Sequence, residues 1–239
     1  MDETIDKSRR MFFVKSGATT ALAAGALASP LSGCAVTPLA KVPQAKNARA
    51  LAFLTTEEAK CVEAIVDTFI PKDDVGPGAV ELGVVGFIDR RLSAGYGLGA
   101  NQHVAGPFLP GVAEQGAQSA LIPRETYRIG LEELQSHCLK NRGGVRFEAL
   151  APAERNAVLH EIREGKLDFP SFPARVFLSQ LFNDATEGYF SDPIHGGNIG
   201  MGSWKMIGFP GPFRIYSQEI EKHRDRKFVD VPRGIADLT

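Results

Sequence analysis

The chain has 239 residues and a formal net charge of −1, from 27 basic and 28 acidic side chains. So even a balance supplies no basic field for nucleic acid and no strongly acidic tail. Hydrophobic content of 44% and charged content of 23% are ordinary for a globular protein with one proper core.

At the N-terminus, Ser8-Arg9-Arg10-Met11-Phe12-Phe13-Val14-Lys15 has the layout of a twin-arginine export signal. A weakly apolar run from Gly17 to Leu31 follows, rich in Ala and Gly and interrupted by Pro30. A spanning helix needs about 20 strongly apolar residues, so this run reads as a signal h-region. Two processing sites compete. Ala26-Leu27-Ala28 is a small-x-small site, and Leu31-Ser32-Gly33-Cys34 resembles a lipobox that makes Cys34 a lipidation candidate. The lipoprotein reading is favoured, although one lipid group anchors only marginally and attachment then gains from a partner. The signal predicts a chain exported folded, working in the periplasm in association with the inner membrane.

The expected organisation is a signal over residues 1–34, a flexible tether over 35–50 and one helical domain over 51–239. Thr55 and Glu58 form a capping box, and Ala59, Val62, Ile65, Val66 and Phe69 continue at helical spacing until Pro71. A second helical pattern runs from Ala79 to about Leu92. Residues 93–122 hold repeated Gly and Pro and read as a long ordered loop. A loop this long inside a domain is usually functional or draped over a partner. Pro123 opens a third helix, ended by Gly143-Gly144, and Pro152 opens a fourth that ends near Gly165. Ser171-Phe172-Pro173 starts a fifth, running toward Gly188. The remainder reads as loop through Trp204 and Phe209, then a polar tail from about Gln218. With no period-2 strand anywhere, the fold class is mainly α: a single helical domain of about five helices with long Gly/Pro-rich loops.

Signals for a self-contained chemistry are few. Gly95-Tyr96-Gly97-Leu98-Gly99 is not preceded by a strand and lacks the spacing of a dinucleotide turn. No nucleophile elbow, HExxH helix, CxxC or haem-attachment CxxCH occurs. Cys61 and Cys138 are available for one disulfide, but nothing in the sequence brings them together. No catalytic, cofactor-binding or metal residue is therefore assigned. Among the five histidines, His137 and His160 lack a second ligand at helical spacing, and His103 sits in the Gly-rich loop. His195 stands in a denser group, with Asp192 and Asn198 beside it and Asp184 and Glu187 upstream. Glu187, Asp192, His195 and Asn198 can build a hard-metal or acid–base site, or can satisfy the backbone of a tight loop. Trp204, near Met206 and Phe209, fits an interface anchor and a core plug equally well.

The segments Thr186-Glu187-Gly188-Tyr189-Phe190-Ser191-Asp192-Pro193-Ile194-His195-Gly196-Gly197-Asn198 and Gly202-Ser203-Trp204-Lys205-Met206-Ile207-Gly208-Phe209-Pro210-Gly211 resemble the small (gamma) subunit, subunit 3, of gluconate 2-dehydrogenase. So do Thr55-Thr56-Glu57-Glu58, Phe69-Ile70-Pro71 and Tyr127-Arg128-Ile129-Gly130-Leu131. The resemblance covers roughly residues 50–215, and members commonly carry a twin-arginine signal. It implies a chain without cofactor, paired with a GMC-type large subunit that holds FAD and in some complexes with a multihaem cytochrome c. It carries over no catalytic residues. The partner-interface candidates are Tyr189, Asp192, His195, Asn198, Trp204, Met206 and Phe209. The competing expectation is a free-standing periplasmic lipoprotein using Glu187, Asp192 and His195.

Overall fold

The computed structural model describes residues 50–238 apart from 101, 103, 104, 110, 113–118, 214, 215, 226, 227 and 229. Arg9, Arg10, Cys34 and His103 lie outside the described residues, as does almost all of the expected tether. Seven α-helices and several single 3₁₀ turns make up the regular structure, with no strand among the described residues.

The first helix, α1 (Thr56–Phe69), begins as its caps dictate. Glu58 N–H donates to Thr55 Oγ1 at 3.2 Å, and Thr55 N–H donates to Glu58 Oε2 at 2.8 Å. The next helix is shorter than the apolar pattern suggests. Here α2 spans Val84–Ser93, because Gly83 adopts φ 75° and ends the preceding turns in a left-handed conformation. Ala79 and Leu82 are buried all the same, so their spacing reports burial and not helix. Proline opens the next two helices, α3 (Pro123–Asn141) and α4 (Pro152–Glu164). At each start a third-position glutamate takes the cap N–H: Glu125 from Ile122 and Glu154 from Ala151, both at 3.1 Å.

The long helix α5 (Ala174–Phe190) touches α1, α2, α3 and α4 and is the axis of the fold. Its buried residues Ala174, Phe177, Leu181, Asp184, Gly188 recur every three or four positions, one stripe of a 3.6-residue period. Gly188 does not end it. The missing Cβ is needed there because it would stand 2.7 Å from the Phe87 ring of α2. The same device seats α3, where a Cβ on Gly130 would lie 2.4 Å from Phe177. Phe177 then packs edge-on to Tyr127, with centroids 6.0 Å apart. Two short helices were not legible as such: α6 (Gly202–Ile207) and α7 (Tyr216–Lys222). Cys61 and Cys138 are separate buried thiols. No helix among the described residues is long and apolar enough to cross a membrane.

One charged residue ties the entrance of the domain down. Asp89 of α2 is 3% exposed and accepts the backbone N–H groups of Ala52, Phe53 and Leu54 at 2.7, 3.0 and 2.8 Å. Three donors that precede a helix thus find one buried carboxylate, which satisfies both sides of the pairing.

Candidate functional site

The segment following α5 is held by its own polar side chains. Asp192 Oδ1 accepts Ile194 N–H at 3.0 Å, and its Oδ2 accepts Ile235 N–H from the C-terminal tail at 2.8 Å. Asn198 is fully buried in a left-handed conformation at φ 45°. Its Nδ2 donates to Ser191 O, while its Oδ1 accepts both Ser203 N–H at 3.0 Å and Ser203 Oγ at 2.8 Å. Trp204 is 4% exposed and donates from Nε1 to Phe190 O at 2.9 Å, with its ring edge-on to Phe209. Tyr189, also buried, donates to Pro77 O at 2.7 Å and lies 3.7 Å from Met206 Sδ. Tyr189, Asn198 and Trp204 therefore have their side chains inside the domain, where they hold the loop to the body. Trp204 is a core plug in this chain. Phe209 remains at the surface, His195 is exposed, and Asp192 and Met206 are half-buried.

Beside this loop lies a surface groove of about 760 Å³ between α2 and the end of α5. Phe87, Arg90 and Arg91 form one wall, and Glu187, Phe190, Ile194 and His195 face them. Arg90 spans the gap by donating from Nε and Nη2 to the carbonyl of His195 at 3.3 and 3.1 Å. Gly196 has φ 87°, and a Cβ there would strike the Arg90 guanidinium, so only glycine admits this approach.

A charged network underlies the groove. Arg91 pairs with Asp184 Oδ1 at 3.3 Å and with Glu187, and its guanidinium sits 4.0 Å above the Tyr96 ring. Asp184 is 1% exposed and accepts the Tyr127 hydroxyl at 2.9 Å. Burial raises its carboxyl to about 6, against the opposing pull of the Arg91 charge and of hydrogen bonds from Tyr127 and Tyr96. Burial also works against the charge of Arg91, but the Glu187 hydrogen bond and both carboxylates outweigh it and raise its pKa. Tyr127 is pushed well above its ordinary value, first by burial and then by the Asp184 charge. Asp184 and Glu187 stand out in the sequence, but Arg91 and Tyr96 do not. Arg91 is one of two adjacent arginines in the last turn of α2, and its aromatic partner lies in the Gly-rich loop.

Two chemical expectations meet this geometry. Of Glu187, Asp192, His195 and Asn198, only Glu187 and His195 line the groove. Asp192 and Asn198 are occupied by backbone and Ser203 groups, and no three His, Cys, Asp or Glu among the described residues are arranged to hold a metal ion. The glycines at 95–99 form turns around α2. A Cβ on Gly97 would stand 1.8 Å from Leu92 O, and Gly97 O accepts Arg124 N–H, so this backbone faces the protein and not a phosphate.

The fold and this site define a class: an all-α domain with a stiffened surface loop beside an amphipathic groove. The chain belongs to the gluconate 2-dehydrogenase subunit 3 family, whose family model matches residues 56–211. That span starts at the first residue of α1 and includes the groove and the loop beside it, and the C-terminal tail lies past it. No curated protein and no solved structure matches the chain.

Proposed function

We propose that this chain is the small accessory subunit of a periplasmic, membrane-associated dehydrogenase acting on sugars or sugar acids. Its large subunit is a GMC-type flavoprotein carrying FAD, joined in some complexes by a multihaem cytochrome c. The chain stabilises the flavoprotein and escorts it, already folded and loaded, through the twin-arginine pathway. The observation that carries this reading is the family match across the whole helical core. It is supported by a site whose ionisable groups are tied to one another and to the loop backbone.

Escort follows from the Arg9-Arg10 signal. A route that carries folded chains serves a partner whose flavin is inserted before export. The test changes both Arg9 and Arg10 to Lys and follows the flavoprotein by cell fractionation. The reading expects it stranded in the cytoplasm with its FAD. Normal flavoprotein levels in the periplasm would show that escort is not a role of this chain.

A further inference from the structure

We propose that the C-terminal segment, residues 230–238, is a strap seated on the loop after α5. Its seating at Asp192 fixes the turn that carries Ile194 and His195 into the groove. This goes beyond the small-subunit reading and is independent of it.

The seat is built for main chain. Arg233 N–H donates to Pro210 O at 3.1 Å, and Ile235 N–H donates to Asp192 Oδ2 at 2.8 Å. Gly211, buried at φ 93°, lets the strap come this close: a Cβ there would stand 2.0 Å from Arg233 O. Gly234 is buried as well, and a Cβ on it would lie 3.3 Å from Asp192 Oδ1 and 3.5 Å from Met201 Cε. A glycine on each side thus admits one backbone to the other.

The strap brings its own shape to this seat. Gly234 N–H donates to Asp237 Oδ2 at 2.8 Å, and Arg233 Nη2 pairs with Asp230 Oδ2 at 2.9 Å. Its large side chains Val231 and Ile235 stay 72% and 44% exposed. A segment that leaves so much apolar surface in solvent opens at a lower cost than the helical core.

Asp192 is where strap and groove meet. Its oxygens are divided: Oδ1 caps the single turn Pro193–His195 by accepting Ile194 N–H at 3.0 Å, and Oδ2 holds the strap. The end torsion of an aspartate is soft, so bonds to both oxygens fix the plane of the carboxylate. The turn it caps places Ile194 and His195 in the groove, and the His195 carbonyl accepts Arg90 of α2. Unseating the strap removes one hold on that carboxylate and loosens the cap behind the groove wall.

Amide hydrogen exchange on the full chain tests this, with one variant on each side of the seat. Gly211→Ala blocks the seat from the loop. Gly234→Val blocks it from the strap, at a φ of −85° that any residue adopts. In both, exchange at residues 233–235 should rise about tenfold or more, and exchange at residues 194–196 should rise with it. The buried helical core, read at Ile65 and Leu181, should exchange as in the wild type. Unchanged exchange at 233–235 overturns the seat. Faster exchange at 233–235 beside an unchanged 194–196 turn overturns the link to the groove. A core that also exchanges faster makes the segment part of the core and overturns the strap.

Discussion

The hydroxyl of Tyr127 on α3 donates to the carboxylate of Asp184 on α5 at 2.9 Å, with both residues buried. That contact joins two helices under the floor of the groove, and Arg91 of α2 completes it from the solvent side. The carboxylate is held by hydrogen bonds and one cation, but burial still disfavours its charge.

A pH dependence of stability follows. The folded-state pKa of Asp184 is about 6, against 3.8 for the ordinary group, so the folded chain binds this proton more tightly than the unfolded chain. Its contribution to stability is fully present below the ordinary value and is lost as pH rises through the folded value. The loss amounts to about 3 kcal/mol across that window. Urea unfolding of wild type and Asp184→Asn at a series of pH values checks this. The wild-type advantage should shrink as pH rises from about 4 to about 6, then stay level.

Asp89 is expected to be the most costly single carboxylate to remove. Asp89→Ala leaves the N–H groups of Ala52, Phe53 and Leu54 without their acceptor. The expected loss is about 3 kcal/mol, since the bonds are charge-assisted and one is fully buried. Thermal unfolding should show the drop, and limited proteolysis should find new cuts at residues 50–54.

Two glycines in helices should respond with opposite signs. On Gly130 an added methyl meets Phe177, whose ring is caught between Tyr127 and Phe169. Overpacking of about 1–3 kcal/mol then exceeds the roughly 1 kcal/mol gained in helix propensity. On Gly86 the nearest outside atom is 3.7 Å away, on the end of the Arg90 side chain. Gly86→Ala should stabilise by up to about 1 kcal/mol, and Gly130→Ala should destabilise. Denaturant melts of the two variants decide it.

The cysteines should be silent until the chain opens. Burial raises the Cys61 thiol far above its usual range and brings Cys138 to about 11. With Cys34 replaced by Ser, a thiol reagent at about pH 8 should label neither residue in the native chain and both in urea. Labelling of Cys61 in the native chain would contradict its burial.

Legibility from sequence followed the physics of each element. The capping box of Thr55 and Glu58 and the prolines at 123 and 152 are local signals, and each helix begins where they stand. Gly188 misleads because its purpose is tertiary: it makes room for Phe87, a contact that no local pattern reports. The six residues of α6 are too few to show a period, and glycines stand at both ends. The site was half legible. Glu187 and His195 share the groove, but Asp192 and Asn198 turn to the backbone, the duty expected of such residues in a tight loop. Arg91 with Asp184 and Asp89 with residues 52–54 are long-range pairings, and nothing in the sequence near either partner announces the other.

On the proposed function, a flavoprotein dehydrogenase depends on this chain to reach and persist in the periplasm. The direct measurement is FAD-linked oxidation of gluconate, glucose and related sugars in the periplasmic and membrane fractions of cells lacking the chain. The account predicts that this activity and its bound FAD disappear from those fractions and return when the wild-type chain is restored. Undiminished activity and FAD in the same fractions without the chain would contradict it.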